Sequence, residues 1–338
     1  MKAVFLGAVP KKTTLDEDTA NPCCRFQING VLYRLPVSAA CDFALLNRLQ
    51  IGRTYEIRIL NGLVSAVCPC DALPPAPAPF SGYVPGLRTL KNLLATAMTP
   101  LGQALYVYGG GWNWQDTGAG PQAVSIGLAP EWFAFFQAQD LRYSYRDFYP
   151  AYGRNSYYFA GLDCSGYLGW AVYNTLHEAS CLPGYVGPAQ ELARDFARRD
   201  WGRLAEDAGS FCPGDVCSIA GHVWLCVGTC GDGSILLAHS TPTESRLGCP
   251  GGGVQLSALS PSDSDSCAAL ALAESVMKRR CSVWYRRYAP VRKPYAVYTD
   301  FSGGVFRWAL EDGGVLTDPD GFAMLGAEEI VKRLFGGL

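Results

Sequence analysis

Histidine is nearly absent from this chain, with three in 338 residues, so imidazole chemistry has few places to sit. Neither sign of charge dominates: 28 Lys and Arg stand against 30 Asp and Glu, a formal net charge of -2. Without a basic surplus nothing matches a phosphate backbone, which argues against nucleic acid as a partner. No apolar run approaches the roughly 18 residues of a membrane helix, so no membrane partner is expected. The start, "MKAVFLGAVPKK", has an apolar stretch too short for a secretory signal, and Pro10 interrupts it. The expected location is cytoplasmic, or the cell wall and exterior if a leader has been removed. Regular CxxC pairs are missing too, which weighs against a zinc site.

What is present describes a globular protein with a substantial core: 49% apolar residues and 17% charged. Fourteen cysteines would suit a disulfide framework in a short secreted chain. Here they lie in apolar contexts such as "HVWLCVG" and "PGDVCSI", where free cysteine behaves as a small buried hydrophobe.

Residues 1–73 hold short β-like runs ("KAVFLGAV", "CRFQINGVLYRLPV", "TYEIRIL", "LVSAV"), with Asn-Gly at 29–30 and 61–62 where tight hairpins want it. That pattern predicts a small SH3-like or OB-like barrel. "PPAPAP" follows in a stiff linker over 74–85. Beyond it, helices are expected at "LRTLKNLLATAM", "CSGYLGWAVYNTLHEA", "CAALALAESVMKRR" and near "GAEEIVKRLF". Strands are expected at "ALYVYGGGW", "VCSI", "HVWLCVG", "SILLAHS" and "SVWYRRYAPV", and a hairpin-like piece at "AVYTDFSGGVFRWAL". Residues 112–162 carry about a third of all the aromatics.

"GLDCSGYLGW" (161–170) puts Cys164 at the start of a helix, where free N–H groups and the helix dipole favour a thiolate and could hold an oxyanion. On this reading Cys164 is the cysteine expected to alkylate fastest. Asp163 works against it, as a neighbouring negative charge, and needs another job; capping the helix is the bland one. If a turn at 229–232 joins the next two strands, His222 and His239 lie directly opposite, with Cβ atoms about 5 Å apart. A slip of two residues leaves them diagonal, at roughly 7 Å, still within reach of one hydrogen bond. Either suits a base and its orienter. The same pair could pack, or share a metal with Cys226 on the same face. His177, thirteen residues beyond Cys164, reads as structural.

Together these residues resemble the NlpC/P60 family of cysteine peptidases, which cut bacterial cell-wall peptides. "LYVYGGGW" is similar to the family's Tyr-x-Trp-Gly-Gly segment, with Tyr106 on the tyrosine and Tyr108 in place of the tryptophan. "LDCSGY" matches the nucleophile motif, "CPGDV" the turn before the base strand, "GHVWLCVG" that strand, "LLAHS" the strand of the third polar residue, and "VWYRRY" the closing strand. The resemblance spans about 86–290, the expected catalytic domain. Residues 112–162 are then an insertion, either a wall of the cleft or a subdomain with its own core, and 291–338 a C-terminal extension. It implies an α+β, papain-like fold with a helix packed on an antiparallel sheet, preceded by the SH3-like barrel common in the family. It also implies a thiol endopeptidase for the bond between γ-D-glutamate and a diamino acid in peptidoglycan stem peptides. Cys164 would be nucleophile, His222 base and acid, and His239 orienter; Tyr106, Asp163 and Ser165 would bind substrate, with no cofactor and no metal. With a cytoplasmic location, the expected substrates are recycled peptides whose free L-alanine amine pairs with Asp163. The rivals are a hydrolase of intact wall, an amidase or acyltransferase on the same scaffold, and a non-catalytic wall-binding protein.

Overall fold

Both Asn-Gly pairs turn the chain as their chemistry favours. Asn29, Gly30, Asn61 and Gly62 have φ of 51°, 80°, 50° and 77°, the left-handed region that a two-residue hairpin needs and that Asn and Gly tolerate. They join β2 (Cys23–Ile28) to β3 (Val31–Pro36) and β4 (Thr54–Leu60) to β5 (Leu63–Pro69). With β1 (Lys2–Val9) these form a five-stranded antiparallel sheet in the order β3-β2-β1-β4-β5. A bridge between Val37 and Val64 draws its two edges together, around buried Phe5, Phe26, Tyr55 and Ile57. The computed structural model describes residues 1–9, 23–37, 49, 51–69, 82–112, 118–149, 155, 157–205, 210–262, 264, 266–300 and 302–336. The "PPAPAP" stretch of the expected linker lies outside the described residues.

The chain divides into two compact units. The second opens with α1 (Leu90–Met98), capped by Thr89, whose side chain accepts the Asn92 N–H. Residues Ala129–Asp140 group with the first unit; they form α2 (Pro130–Ala138), with Trp132, Phe135 and Phe136 buried. The second unit continues with α3 (Cys164–Leu176), buried along its whole length, and α4 (Leu192–Arg198). Its sheet has seven strands: β6 (Gly202–Leu204), β7 (Val216–Ile219), β8 (His222–Thr229), β9 (Ile235–Thr241), β10 (Gly253–Leu259), β11 (Arg292–Lys293) and β12 (Gly304–Trp308). The order is β11-β10-β9-β8-β7-β12-β6, antiparallel except for β11 against β10. Helix α3 packs on β8 and β9, and α5 (Ala268–Arg280) on β9 and β10. This is a mixed α+β architecture of helices on a largely antiparallel sheet.

Three expected elements differ. "SVWYRRYAPV" is not a strand: it begins with helix α6 (Ser282–Arg287). Trp284 and Tyr288, four apart, are both fully buried while Val283 is exposed, a helical spacing that overrides the β propensity of the aromatics. "AVYTDFSGGVFRWAL" is not a hairpin. It starts with the short helix α7 (Tyr295–Tyr298), and β12 pairs with β6 and β7. "ALYVYGGGW" makes only single bridges, Leu105 to Gly253, Tyr106 to Leu162 and Trp112 to Ala119, and its glycines press against the start of α3. Residues past 290, expected as an extension, supply both β11 and β12 as well as the final helix α8 (Ala327–Phe335).

Candidate active site

Asp163 is the N-cap of α3, with extended backbone (φ -84°, ψ -173°) and a carboxylate that accepts the Gly166 N–H at 2.7 Å. Ser165 Oγ donates to the same oxygen at 3.1 Å and accepts from the Trp112 indole at 2.7 Å. Gly166 has to be glycine: a Cβ there would stand 2.0 Å from the Gly110 carbonyl oxygen. The "YGGGW" and "DCSG" stretches are therefore locked together backbone to backbone. Cys164 is the first residue of the helix and only 5% exposed; Asp163 is 7% exposed.

Burial sets the electrostatics. It lifts the Asp163 carboxyl to about 7, against N–H and O–H donors that favour the charged form. Burial, and then the adjacent Asp163, push the Cys164 thiol up to about 12. The backbone N–H groups of Val223, Ser165 and Cys164 pull the other way and lose. The expectation of a readily ionised thiol is thus corrected for the ligand-free protein. A helix start favours the anion by a kilocalorie or so, less than the cost of desolvating it.

The two histidines meet by the diagonal. The β8–β9 ladder sets Leu225 opposite Ala238 and Thr229 opposite Ile235, with a bulge at Cys226–Gly228. That register places His239 opposite Trp224, two residues from His222, rather than opposite His222 itself. The turn is longer than 229–232, and the bulge takes back only part of the resulting offset, which leaves the histidines diagonal. His222 Nε2 nevertheless lies 2.9 Å from His239 Nδ1, with ring centres 5.1 Å apart. His239 is wholly buried, and its Nε2 sits 2.9 Å from Ser257 Oγ. Behind Ser257 stands Gln255, whose amide is oriented by Trp284 Nε1 donating to its Oε1 (3.3 Å) while its Nε2 donates to Thr243 Oγ1 (2.7 Å).

Burial lowers the His222 imidazolium to about 3 and holds that of His239 well below the ordinary value, with the nearby Lys293 ammonium as the next cause. Both rings are neutral at pH 7. The arrangement in which His239 donates to Ser257, and His222 donates through Nε2 to His239, leaves a lone pair on Nδ1 of His222. That is the tautomer a base needs.

The site residues read from the sequence converge on one locality. The N–H of Val223, next to His222, faces the Cys164 sulfur. Cys164 and Asp163 both raise the Tyr106 phenol further after burial has done most of it. Tyr106 meets Tyr145 edge-on at 5.2 Å, and Tyr108 stacks on Tyr149 at 4.4 Å. Among the described residues no hydrogen bond joins the Cys164 thiol to an imidazole. His177 is apart from this group and bonds the Tyr185 hydroxyl. Cys226 lies in an apolar cluster with Cys217, Ile219, Trp224 and Leu237. Among the described residues no group of three His, Cys, Asp or Glu could hold a metal ion, and no helix is long and apolar enough to cross a membrane. Cys164, Cys181, Cys217, Cys226, Cys230 and Cys281 are free thiols.

Sequence reasoning missed Ser257, Gln255, Tyr298 and Lys293. The first two had a signal: "GVQLSAL" places polar residues two apart on one face of an otherwise apolar strand. Tyr298, whose ring centre is 5.4 Å from that of His222 and 5.9 Å from that of His239, had none. Comparison with protein-family models, curated proteins and solved structures finds no match.

Proposed function

We propose that this chain is a cysteine endopeptidase that hydrolyses the γ-D-glutamyl–diamino acid bond of peptidoglycan-derived peptides. The observation that carries the reading is the His222–His239–Ser257 hydrogen-bonded chain at the edge of a buried, helix-starting cysteine. Binding alone does not call for such a chain. The resemblance of the motifs around Tyr106, Cys164, His222 and His239 to the NlpC/P60 peptidases supplies the substrate class and a papain-like fold. The five-stranded sheet of the first unit is in this reading the SH3-like domain.

In the mechanism, His222 takes the Cys164 proton as the γ-carbonyl of D-glutamate arrives. Moving that proton creates both charges at once, so their attraction, with the N–H groups around the sulfur, offsets the burial that opposes either charge alone. The thiolate attacks, the C–N bond breaks, and His222 returns the proton to the leaving amine. Water, deprotonated by His222, then releases the acyl group from sulfur. His239 and Ser257 hold the tautomer throughout. Asp163, which accepts only from uncharged donors in this structure, pairs with the free amine of an N-terminal L-alanine.

The test is mass spectrometry of a mixed muropeptide digest. Release of L-Ala-γ-D-Glu by the wild type and none by Cys164→Ala supports the reading. Products cut at another bond, or none, would sink it. Free peptide should be cleaved at least tenfold faster than its N-acetylated form, and Asp163→Asn should lose most of that preference. Ready lysis of purified sacculi would instead favour action on intact wall.

A further inference from the structure

Lys293 is a half-buried cation without a counter-charge among the described residues. It sits on β11, and among the described residues no carboxylate pairs with it. Its Nζ is 3.5 Å from Thr241 Oγ1, a marginal contact, and 5.8 Å from the ring centre of Tyr298. Tyr298 is the ring that covers the histidine pair, and its phenol lies close to Thr241 and Cys164. The ammonium therefore stands beside the imidazoles. Lys293 and His222 keep part of their surface open, whereas His239, Ser257 and Tyr298 are closed off. Burial lowers the Lys293 pKa only to about 8, which leaves it mostly protonated at pH 7. A desolvated ammonium facing two neutral imidazoles is a cost to the fold unless an anion arrives.

We infer that Lys293 is the anion contact of this site, its ammonium taking the free α-carboxylate of the diamino acid on the leaving side of the scissile bond. The assignment rests on the peptidase reading above. His222 returns its proton to the leaving nitrogen, so whatever lies beside His222 faces the leaving residue, whose α-carboxylate is two bonds from that nitrogen. Peptides that end at the diamino acid carry this carboxylate; peptides extended or amidated there do not. The site would thus select stem peptides already trimmed to the tripeptide.

The experiment compares kcat/KM for L-Ala-γ-D-Glu-L-Lys with that for its C-terminal amide, and for the same tripeptide carrying D-isoglutamine, in wild type, Lys293→Met and Lys293→Arg. Wild type should prefer the free acid to the amide by tenfold or more. Lys293→Met should bring that ratio close to one, and Lys293→Arg should keep most of it. A wild-type ratio near one, or a ratio that survives in Lys293→Met, overturns the inference. So does an equal fall on both substrates, which would mean the lysine merely supports the histidines. A Lys293-dependent preference that follows the D-glutamyl carboxylate, read from the isoglutamine peptide, overturns the leaving-side assignment. If wild type cleaves none of the three, the peptidase reading itself fails, which is a different outcome from any of these.

Discussion

Two strands flank the central β10-β9-β8-β7 set, and each brings a cation to the sheet, with opposite results. Arg307 on β12 reaches Asp215 with two near-parallel bonds, Nε to Oδ1 at 3.0 Å and Nη2 to Oδ2 at 2.7 Å. The Cys212 N–H completes that carboxylate at 2.8 Å. Lys293 on β11 has a hydroxyl at 3.5 Å and an aromatic face. The arginine end neutralises itself and asks nothing of a ligand. At the other end a buried aspartate, a neutral thiol and two neutral imidazoles are gathered near an ammonium that no carboxylate among the described residues pairs with. A buried polar group with all its partners present stabilises or specifies structure; one without them marks where something else is meant to bind.

The largest expected effect breaks the second end. Cys164→Ala or His222→Ala should lower kcat/KM by about 10⁴-fold or more, and His239→Ala should leave measurable activity, because an orienter tunes the base without taking the thiol proton. The urea midpoints of Cys164→Ala and His222→Ala should stay near that of wild type. Loss of folding along with activity would remove the contrast between the two ends. The same assays should be indifferent to EDTA.

Next comes the arginine end. Asp215→Asn leaves Arg307 facing a neutral partner within the sheet, and should cost about 3 kcal/mol of stability in urea unfolding. Its kcat/KM on the tripeptide should change less than threefold. A larger activity loss would mean that the two ends communicate.

A smaller effect concerns pH. An acid whose pKa rises on folding binds more protons folded than unfolded, so its stability contribution falls as pH rises between the two values. For Asp163 that window runs from about 4, the unfolded value, to about 7. The histidines act oppositely: their pKa falls on folding, so stability is lost as pH drops below about 6.5. Asp163→Asn keeps an oxygen for the Gly166 N–H and should be more stable than wild type at pH 8 but not at pH 4. Parallel curves of urea midpoint against pH would contradict the burial of a charge at the cap.

The smallest effect is in thiol reactivity. In ligand-free protein at pH 7, Cys164 should alkylate more slowly than the exposed Cys181, as its raised pKa and burial require. Peptide mapping after timed iodoacetamide treatment reads this directly. Faster labelling of Cys164 would show that the thiol is already ionised before substrate arrives.

How much of this was legible beforehand follows the range of each interaction. Both Asn-Gly hairpins, the helix starting at Cys164 and its Asp163 cap depend on neighbours within a few residues, and the sequence alone determined them. The strands bearing His222 and His239 were equally plain from local composition, and so was the likelihood of their contact. Their register was not, because the bulge at Cys226–Gly228 and the longer turn are settled by packing rather than by turn residues. The segment from Ser282 to Arg287 became helical, with Tyr288 as its C-cap, because Trp284 and Tyr288 both had to be buried on one side, which propensity does not encode. Tertiary structure alone decided that Ser257 and Gln255 stand behind His239, that Tyr298 covers the pair, and that Lys293 meets no carboxylate among the described residues. These contacts join residues far apart in sequence. Whether a side chain is buried, and beside which charge, exists only once the sheet has closed around it.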